Sequence, residues 1–282
     1  ADDVKVDEEF FQEAGESYRK VRNTIRFMLS NLNDFDPAAH QHAFTEADAI
    51  TLDAWALSKL DELSDAVRSA FEQYAFRRAH QALFDFCIDT MSATYLAAVK
   101  DRLYCDAPGW RRRRRTQTAL HRIADALIRL LAPFLPHTAD EAWRALHGEA
   151  AASVHLQRFP AMGQAPVDRE LWDGVVAARD EWLRAIENTR QQQDIDNPLD
   201  CAVTGGAAVS LDAVAVDDLA DLCNVSQFEK ATGDAATQVV DLREDAARCD
   251  RCWKRTGDVQ QRENDDVGGL LCGRCAQAVG AG

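Results

Sequence analysis

Cys249 and Cys252 flank two residues, Cys272 and Cys275 flank two more, and nineteen residues separate the pairs. Thiolate sulfur suits zinc. Each Cys-x-x-Cys turn spans one edge of a coordination tetrahedron, and an intervening segment of this length folds back as a hairpin to bring the pairs together. The pattern predicts one zinc ion held by Cys249, Cys252, Cys272 and Cys275. Four protein ligands leave no open position for water, so the metal's task is structural. Half of the eight cysteines lie in the last thirty-four residues, where Val267, Leu270 and Leu271 are nearly the only large aliphatic side chains. So short a segment cannot build its own core, and coordination must hold it together. A disulfide framework does not suit the reducing compartment expected below, and a redox Cys-x-x-Cys usually stands singly at a helix start.

Trp253 follows the second ligand directly, with Lys254 and Arg255 after it and Arg251 before it. The aromatic ring can be a platform for an unstacked RNA base, with the basic residues on phosphates. It can equally be a lid over the metal knuckle, and the two uses are compatible. Nothing else resembles a catalytic centre: the sequence has no Gly-rich phosphate loop, no Gly-x-Ser-x-Gly elbow and no histidine pair at metal spacing. No catalytic residue is assigned.

With 47 acidic residues against 32 Lys and Arg, the net charge is −15. That argues against a protein that coats nucleic acid through bulk positive charge. Any RNA surface must be local, and the cations are uneven: Arg19, Lys20, Arg22 and Arg26 form one group, Lys100, Arg102 and Arg111 to Arg115 another. Both can also be ordinary solvated helix faces. No apolar run approaches the ~20 residues of a membrane span, and the first residues are acidic, unlike a signal peptide. These features lead us to expect a soluble, cytoplasmic protein. The opening Ala1-Asp2-Asp3, running almost at once into a helical pattern, reads as a piece of something longer.

The elements that must position these groups are mostly helices. Phe11, Ala14, Tyr18, Val21, Ile25, Met28 and Leu32 step by three and four along a first helix from Asp7. A second runs from Leu52 to Phe71, a third from Tyr74 to Lys100 with Leu83, Phe86, Cys87, Tyr95 and Val99 inward, and a fourth from Arg112 to Ala132. Pro133 and Pro136 interrupt the pattern, and Thr138-Ala139-Asp140-Glu141 has the form of a capping box starting a short fifth helix. The predicted architecture is mainly α: a helical bundle over residues 1–160. Residues 161–245 form a small α/β connector, with a helix from Asp168 to Gln193, strands at 199–203 and 238–242, a turn at Gly205-Gly206 and a helix at 213–222. Residues 246–282 form the zinc ribbon or knuckle.

Several stretches together resemble the carboxy-terminal third of bacterial isoleucyl-tRNA synthetases. They are SYRKVRNTIRFMLSNLNDFDP (17–37), YLAAVKDRLY (95–104), RRTQTAL (114–120), LAPFLPHTADEAW (131–143), RCDRCWKRTGDV (248–259) and LCGRC (271–275), in the family's order. The helical stretches are also similar to the valyl and leucyl enzymes, and the terminal RCW-type module selects the isoleucyl family. The resemblance implies an anticodon-binding bundle that grips tRNA(Ile) for ATP-dependent aminoacylation by amino-terminal catalytic and editing domains absent here, in a monomeric parent enzyme. Arg22 and Asn23 fall on the family's Arg-Asn-Thr element, Lys100, Asp101 and Arg102 on its Lys-Asp-Arg element, and Trp253 on the aromatic after the zinc ligands. Adding the basic helix faces and the knuckle, the expected tRNA contacts are Arg22, Asn23, Arg26, Lys100, Arg102, Arg114, Arg115, Trp253, Lys254 and Arg255. Residues 194–201 match the family's connector only partly, and the five-arginine run is richer than usual. The nucleotide signatures of the His-Ile-Gly-His and Lys-Met-Ser-Lys-Ser types are missing, so this chain alone is expected not to activate isoleucine. A stand-alone zinc-containing regulator that binds nucleic acid, and a scaffold whose zinc knob contacts protein, are the other readings of the same residues.

Overall fold

The computed structural model describes residues 7–161, 163, 165–233 and 235–282; the Ala1-Asp2-Asp3 opening lies outside them. In chain order the elements are α1 (Glu8–Ser30), α2 (Pro37–His40), α3 (Leu52–Glu72), α4 (Phe76–Asp85), a π-helical stretch (Phe86–Leu96), α5 (Ala97–Cys105), α6 (Arg111–Leu131), α7 (Pro136–His147) and α8 (Arg169–Gln193). The remainder is β1 (Cys201–Gly205), α9 (Val216–Cys223), β2 (Gln227–Lys230), β3 (Gln238–Asp241), β4 (Gln260–Glu263), β5 (Gly268–Leu271) and α10 (Gly273–Val279). Among the described residues the protein is mainly α with two small sheets, as the periodicity predicts.

Compactness groups the residues differently from three sequential segments. One unit comprises residues 1–39, 56–93 and 117–164, the other residues 40–55, 94–116 and 165–282. In the first, Val21, Ile25 and Met28 of α1, Leu60 and Val67 of α3, Leu83, Met91, and Leu120, Ile123 and Leu127 of α6 make the buried core. Phe71 is met edge-on by Phe76, Phe134 and Phe159 at ring separations of 5.3, 5.5 and 5.4 Å. The amino-terminal turns of α1 depart from expectation. Phe11 is 66 % and Tyr18 37 % exposed, because that end borders an open groove shared with Leu83, Phe84 and Leu135 rather than a filled core.

The start of α7 is also a correction. The helix begins at Pro136, two residues before the expected cap, with Leu135 as N-cap. Proline at the first helical position loses no hydrogen bond and has its φ already set, so it opens the helix rather than delaying it. Thr138 is therefore inside the helix, its hydroxyl 3.0 Å from that of Tyr18. Asp140 instead binds Arg144 Nε at 2.8 Å and accepts from Ser153 Oγ at 2.7 Å.

The helical run from Phe76 to Cys105 is long and apolar enough to cross a membrane by length and composition, which the sequence reading did not anticipate. Many of its apolar side chains are core: Ala79, Leu83, Phe86, Met91, Tyr95, Val99 and Leu103 are buried, and buried Arg102 is ion-paired.

In the second unit β1 is central, parallel to β2 and antiparallel to β3, with Val203 opposite Phe228 and Val239. The buried–intermediate alternation of β1 places Cys201 and Val203 toward α8, whose Trp182 ring lies 4.9 Å from that of Phe228. Asp168 caps α8, accepting from Leu171 N–H at 3.0 Å. Gly205 ends β1 instead of turning, and Trp182 Nε1 donates to the Gly206 carbonyl at 3.0 Å. A Cβ on Gly206 would stand 2.0 Å from the Gly233 carbonyl oxygen. Gly206→Ala should therefore lower the urea midpoint by the equivalent of about 1–3 kcal/mol, the usual cost of overfilling a packed site, without changing the helical circular dichroism.

Candidate metal centre and nucleic-acid interface

The carboxy-terminal module is built around sulfur. Cys249 and Cys252 sit on a tight knuckle in which Cys249 N–H donates to the Lys254 carbonyl at 3.0 Å and Trp253 N–H to the Cys249 carbonyl at 2.9 Å. Cys272 and Cys275 follow β5 and open α10, and antiparallel β4–β5 pairing, Gln260 opposite Leu271, forms the expected hairpin. Asp250 joins the halves by accepting from Leu270 N–H at 2.8 Å. Asp258 accepts from Gly273 N–H at the same distance.

The four sulfur atoms lie within 4.8 Å of one another and all four cysteines are buried. Tetrahedral zinc with Zn–S bonds of about 2.3 Å requires sulfur–sulfur separations of about 3.8 Å; Cys252 and Cys272 Sγ are 3.8 Å apart. Cys272 N–H also points at Cys249 Sγ, 3.4 Å away, and Arg251 Nη1 at Cys275 Sγ, 3.7 Å away, donors that suit thiolates. Hydrogen bonding among the sulfurs spreads their proton affinities. Cys252 holds Cys249 well below the usual thiol range, while Cys249 pushes Cys252 up. Cys249 also pushes Cys272 up, but Cys252 and Cys275 outweigh it and leave Cys272 at about 6. Four adjacent thiols cannot all ionise without a neutralising cation, and a dication would remove that conflict. The group could hold a metal ion, and its donor set fits zinc. Among the described residues no disulfide forms; all eight cysteines are free and buried.

The expected RNA-contact residues are divided between the two units. On α1, Arg22, Asn23 and Arg26 are exposed, and Arg22, Arg26, Thr138 and Glu141 line an open groove of about 420 Å³. Arg22 stands 3.9 Å from Glu141, a loose surface pair. In the second unit Lys100 and Arg114 are partly exposed, and Trp253 is 55 % exposed. Trp253 has φ +65°, a left-handed conformation that a bulky side chain seldom adopts. At that exposure the ring does not seal the knuckle.

The remaining cations turn inward. Arg102 is 0 % exposed. Its Nη2 reaches Asp218 Oδ1 at 2.6 Å and Asp221 Oδ2 at 2.9 Å, with Nη1 3.8 Å from Asp53. It has no surface to offer a phosphate, which corrects the RNA-facing role expected of it. Arg115 Nε binds buried Asp53 at 2.7 Å, where Tyr95 and Thr116 hydroxyls also converge. Burial opposes ionisation of Asp53, but Arg115 and Arg102 outweigh it and hold the carboxyl below its ordinary value. Lys254 Nζ is 2.7 Å from Asp221 and 3.7 Å from Asp101. Arg255 binds Asp200 and donates to the Ala246 carbonyl at 2.8 Å. The five-arginine run divides likewise: Arg111 is exposed, while Arg112 forks onto Asp106 with two 2.8 Å bonds.

Sequence reasoning placed Asp101 on the Lys-Asp-Arg element but missed the rest of the acidic half of this network: Asp53, Asp106, Asp218 and Asp221. The available signal was Asp53 in the first turn of a strongly apolar helix and Asp218 and Asp221 at i, i+3, positions a solvated helix would not need to fill with acid. Asp101 ties the module to α5. Burial pushes its carboxyl up, but Arg274, which grips both oxygens, and Lys254 outweigh that and bring it to about 2. A depressed carboxyl stabilises the fold above its unfolded value of ~3.9. That contribution should disappear as pH falls from about 4 to about 2. Asp101→Asn should flatten this part of the stability–pH curve, measured by denaturant unfolding across the acid range.

The fold and site define a mainly helical protein with a candidate structural metal centre and local basic faces. The profile of the family described as the anticodon-binding domain of tRNA ligase matches residues 53–204, more than half of the chain. The chain belongs to that family. It is 35 % identical over 98 % of its length to an isoleucine–tRNA ligase of Brevibacillus brevis, covering 31 % of that protein. It is 35 % identical over 99 % to the isoleucine–tRNA ligase of Syntrophotalea carbinolica and 36 % identical over 98 % to that of Geobacillus thermodenitrificans, covering 31 % and 32 % of them. The chain thus spans about a third of the length of these relatives.

Proposed function

We propose that this chain is the tRNA-binding portion of an isoleucine–tRNA ligase, a cytoplasmic and monomeric enzyme whose catalytic and editing domains lie outside this sequence. Likeness to isoleucine–tRNA ligases along almost the entire chain carries the reading. The buried four-sulfur cluster supports it as the structural zinc site expected of the terminal module. Cys249, Cys252, Cys272 and Cys275 would hold the ion, which supplies a fixed fold and no reaction chemistry. The functional division follows the sequence: bundle (1–160), α/β junction (161–245) and metal module (246–282).

Arg22, Asn23 and Arg26 on α1 and Lys100 and Arg114 in the second unit are the candidates for phosphate contacts, with Trp253 reading an unstacked base. Lys254, Arg255 and Arg115 support the site from within. Holding tRNA(Ile) here positions its acceptor end for chemistry done elsewhere with ATP, so lesions should weaken charging while sparing amino-acid activation. The chain alone should give no isoleucine-dependent ATP–pyrophosphate exchange. The direct test is binding to tRNA(Ile) across a salt series. Arg22→Ala combined with Arg26→Ala should weaken binding and reduce the salt slope by about two contacts. A variant with wild-type affinity and slope would remove α1 from the interface.

A further inference from the structure

Arg251 and Arg274 stand at the same place in their two turns, third in Cys249-Asp-Arg-Cys252 and third in Cys272-Gly-Arg-Cys275, each one residue before a cysteine of the metal group. Both side chains reach the same element of the second unit, the last turn of α5. Arg251 Nη2 donates to the Tyr104 carbonyl at 3.1 Å, and its Nη1 donates to the Cys105 carbonyl while lying 3.7 Å from Cys275 Sγ. Arg274 takes Asp101 with both terminal nitrogens, Nη2 at 2.9 Å, and its Nη1 is 3.4 Å from Asp106 Oδ1. Cys105 itself is packed in the same buried cluster as the four metal-group cysteines.

The end of α5 needs such partners. The last carbonyls of a helix find no donor within it, and many helices close over them with a left-handed residue. Here the C-cap is Asp106 in extended conformation, φ −75° and ψ 148°, so the chain leaves without that wrap. The Arg251 guanidinium does the work instead, a cation at the negative end of the helix dipole that donates to two carbonyls. A planar fork meets several acceptors at once only when the backbone that carries it is fixed. Both arginines are joined directly to a cysteine whose sulfur the ion would fix, in a module with little core of its own.

We propose that Arg251 and Arg274 are positioning residues that carry the metal occupancy of the module to the last turn of α5 and thereby hold Lys100, one turn earlier on that helix, in place. The consequence at Lys100 rests on the tRNA-binding reading; the coupling itself does not. The metal then serves an RNA-binding helix outside its own module.

The experiment follows amide hydrogen exchange of the whole chain, zinc-loaded and after chelation with EDTA. In wild type, chelation should release residues 246–282 and also speed exchange at 103–106 by about tenfold, the effect of losing one charge-assisted hydrogen bond. The Arg251→Ala, Arg274→Ala double variant should keep its zinc, exchange fast at 103–106 with the metal present, and change no further there on chelation. Side chains that only add stability would leave the response to chelation intact. Asp101→Ala breaks the Arg274 grip from the α5 side with both cysteine turns unaltered, and decides the matter if the double variant loses zinc: its response at 103–106 should fall well below that of wild type. Exchange at 103–106 that ignores chelation in wild type, or that responds as strongly in the zinc-loaded double variant or in Asp101→Ala, overturns the proposal. The zinc-loaded double variant should also bind tRNA(Ile) more weakly, with the salt slope reduced by about one contact; wild-type affinity and slope would overturn the positioning of Lys100. A wild-type chain with no salt-dependent binding to tRNA(Ile) would instead remove the functional reading, and the exchange results would still decide the coupling.

Discussion

A chain carrying Cys249→Ser or Cys272→Ser should purify with almost no zinc, where the unsubstituted protein should carry about one ion. Residues 246–282 should then exchange their amide hydrogens at near-unfolded rates. The module contains two short strands and a seven-residue helix, and its buried cluster consists chiefly of the four cysteines with Cys105, Leu271 and Ala276. Leu271 and Ala276, with only the partly buried Val259, Val267, Val279 and Ala281 packed against them, cannot offset the ordering of more than thirty residues, whereas binding of structural zinc contributes roughly 10–16 kcal/mol in isolated finger peptides. The ion pairs of Lys254, Arg255 and Arg274 hold the module's edge, yet they depend on a knuckle that a bound metal would shape. Cys87→Ser and Cys201→Ser are the controls. Burial pushes those thiols up to about 12 and about 11, as expected of core thiols, and both variants should keep their zinc. Unchanged metal content in Cys249→Ser or Cys272→Ser would refute the ligand assignment.

That site was legible because metal ligation is written locally: two turns at fixed spacing and a linker long enough for a hairpin. The long helices were legible for a related reason. A stripe such as Leu120, Ile123, Leu127 and Leu130 is visible within one segment, and α6 spans what the stripe predicts. Failures fall where the deciding partner is distant in sequence. Phe11 and Tyr18 continue the α1 stripe, but periodicity marks which side faces inward and not whether anything covers it. The start of α7 was set by Pro136 against a competing capping pattern two residues later, two local rules of similar strength. β2, Gln227–Lys230, reads as a polar segment and becomes a strand only because parallel β1 lies beside it. The basic residues illustrate the same limit. Arg102 and Arg114 look alike in sequence, and only the placement of Asp218 and Asp221, more than a hundred residues away, turns one of them inward.

Arg102→Met should destabilise the protein by about 3–5 kcal/mol, the usual cost of leaving buried carboxylates without their cation. Methionine fills most of the volume, so the loss reports charge rather than a cavity. Three carboxylates converge on Arg102, and Asp53 and Asp221 are buried completely enough that solvent cannot substitute for it. The sign of the pH dependence separates this from a simple packing defect. In the native protein, burial pushes the Asp221 carboxyl up, but Lys254 and Arg102 outweigh it and hold it below its ordinary value. Asp53 is held down in the same sense by Arg115 and Arg102. These carboxyls stabilise the fold above the ordinary carboxylate range, and that stability is lost as pH falls through their lower folded values. Removing Arg102 leaves burial less opposed and raises the folded values toward or beyond the unfolded ones. The variant should therefore lose less stability than wild type, or even gain some, as pH falls from about 7 to about 4. Urea midpoints for the two proteins should converge on acidification, and a constant difference across that range would show that packing, not the carboxylates, sets the penalty. Because Arg102 has no exposed surface, any loss of tRNA affinity in this variant should follow its fraction folded and leave the salt slope of binding unchanged.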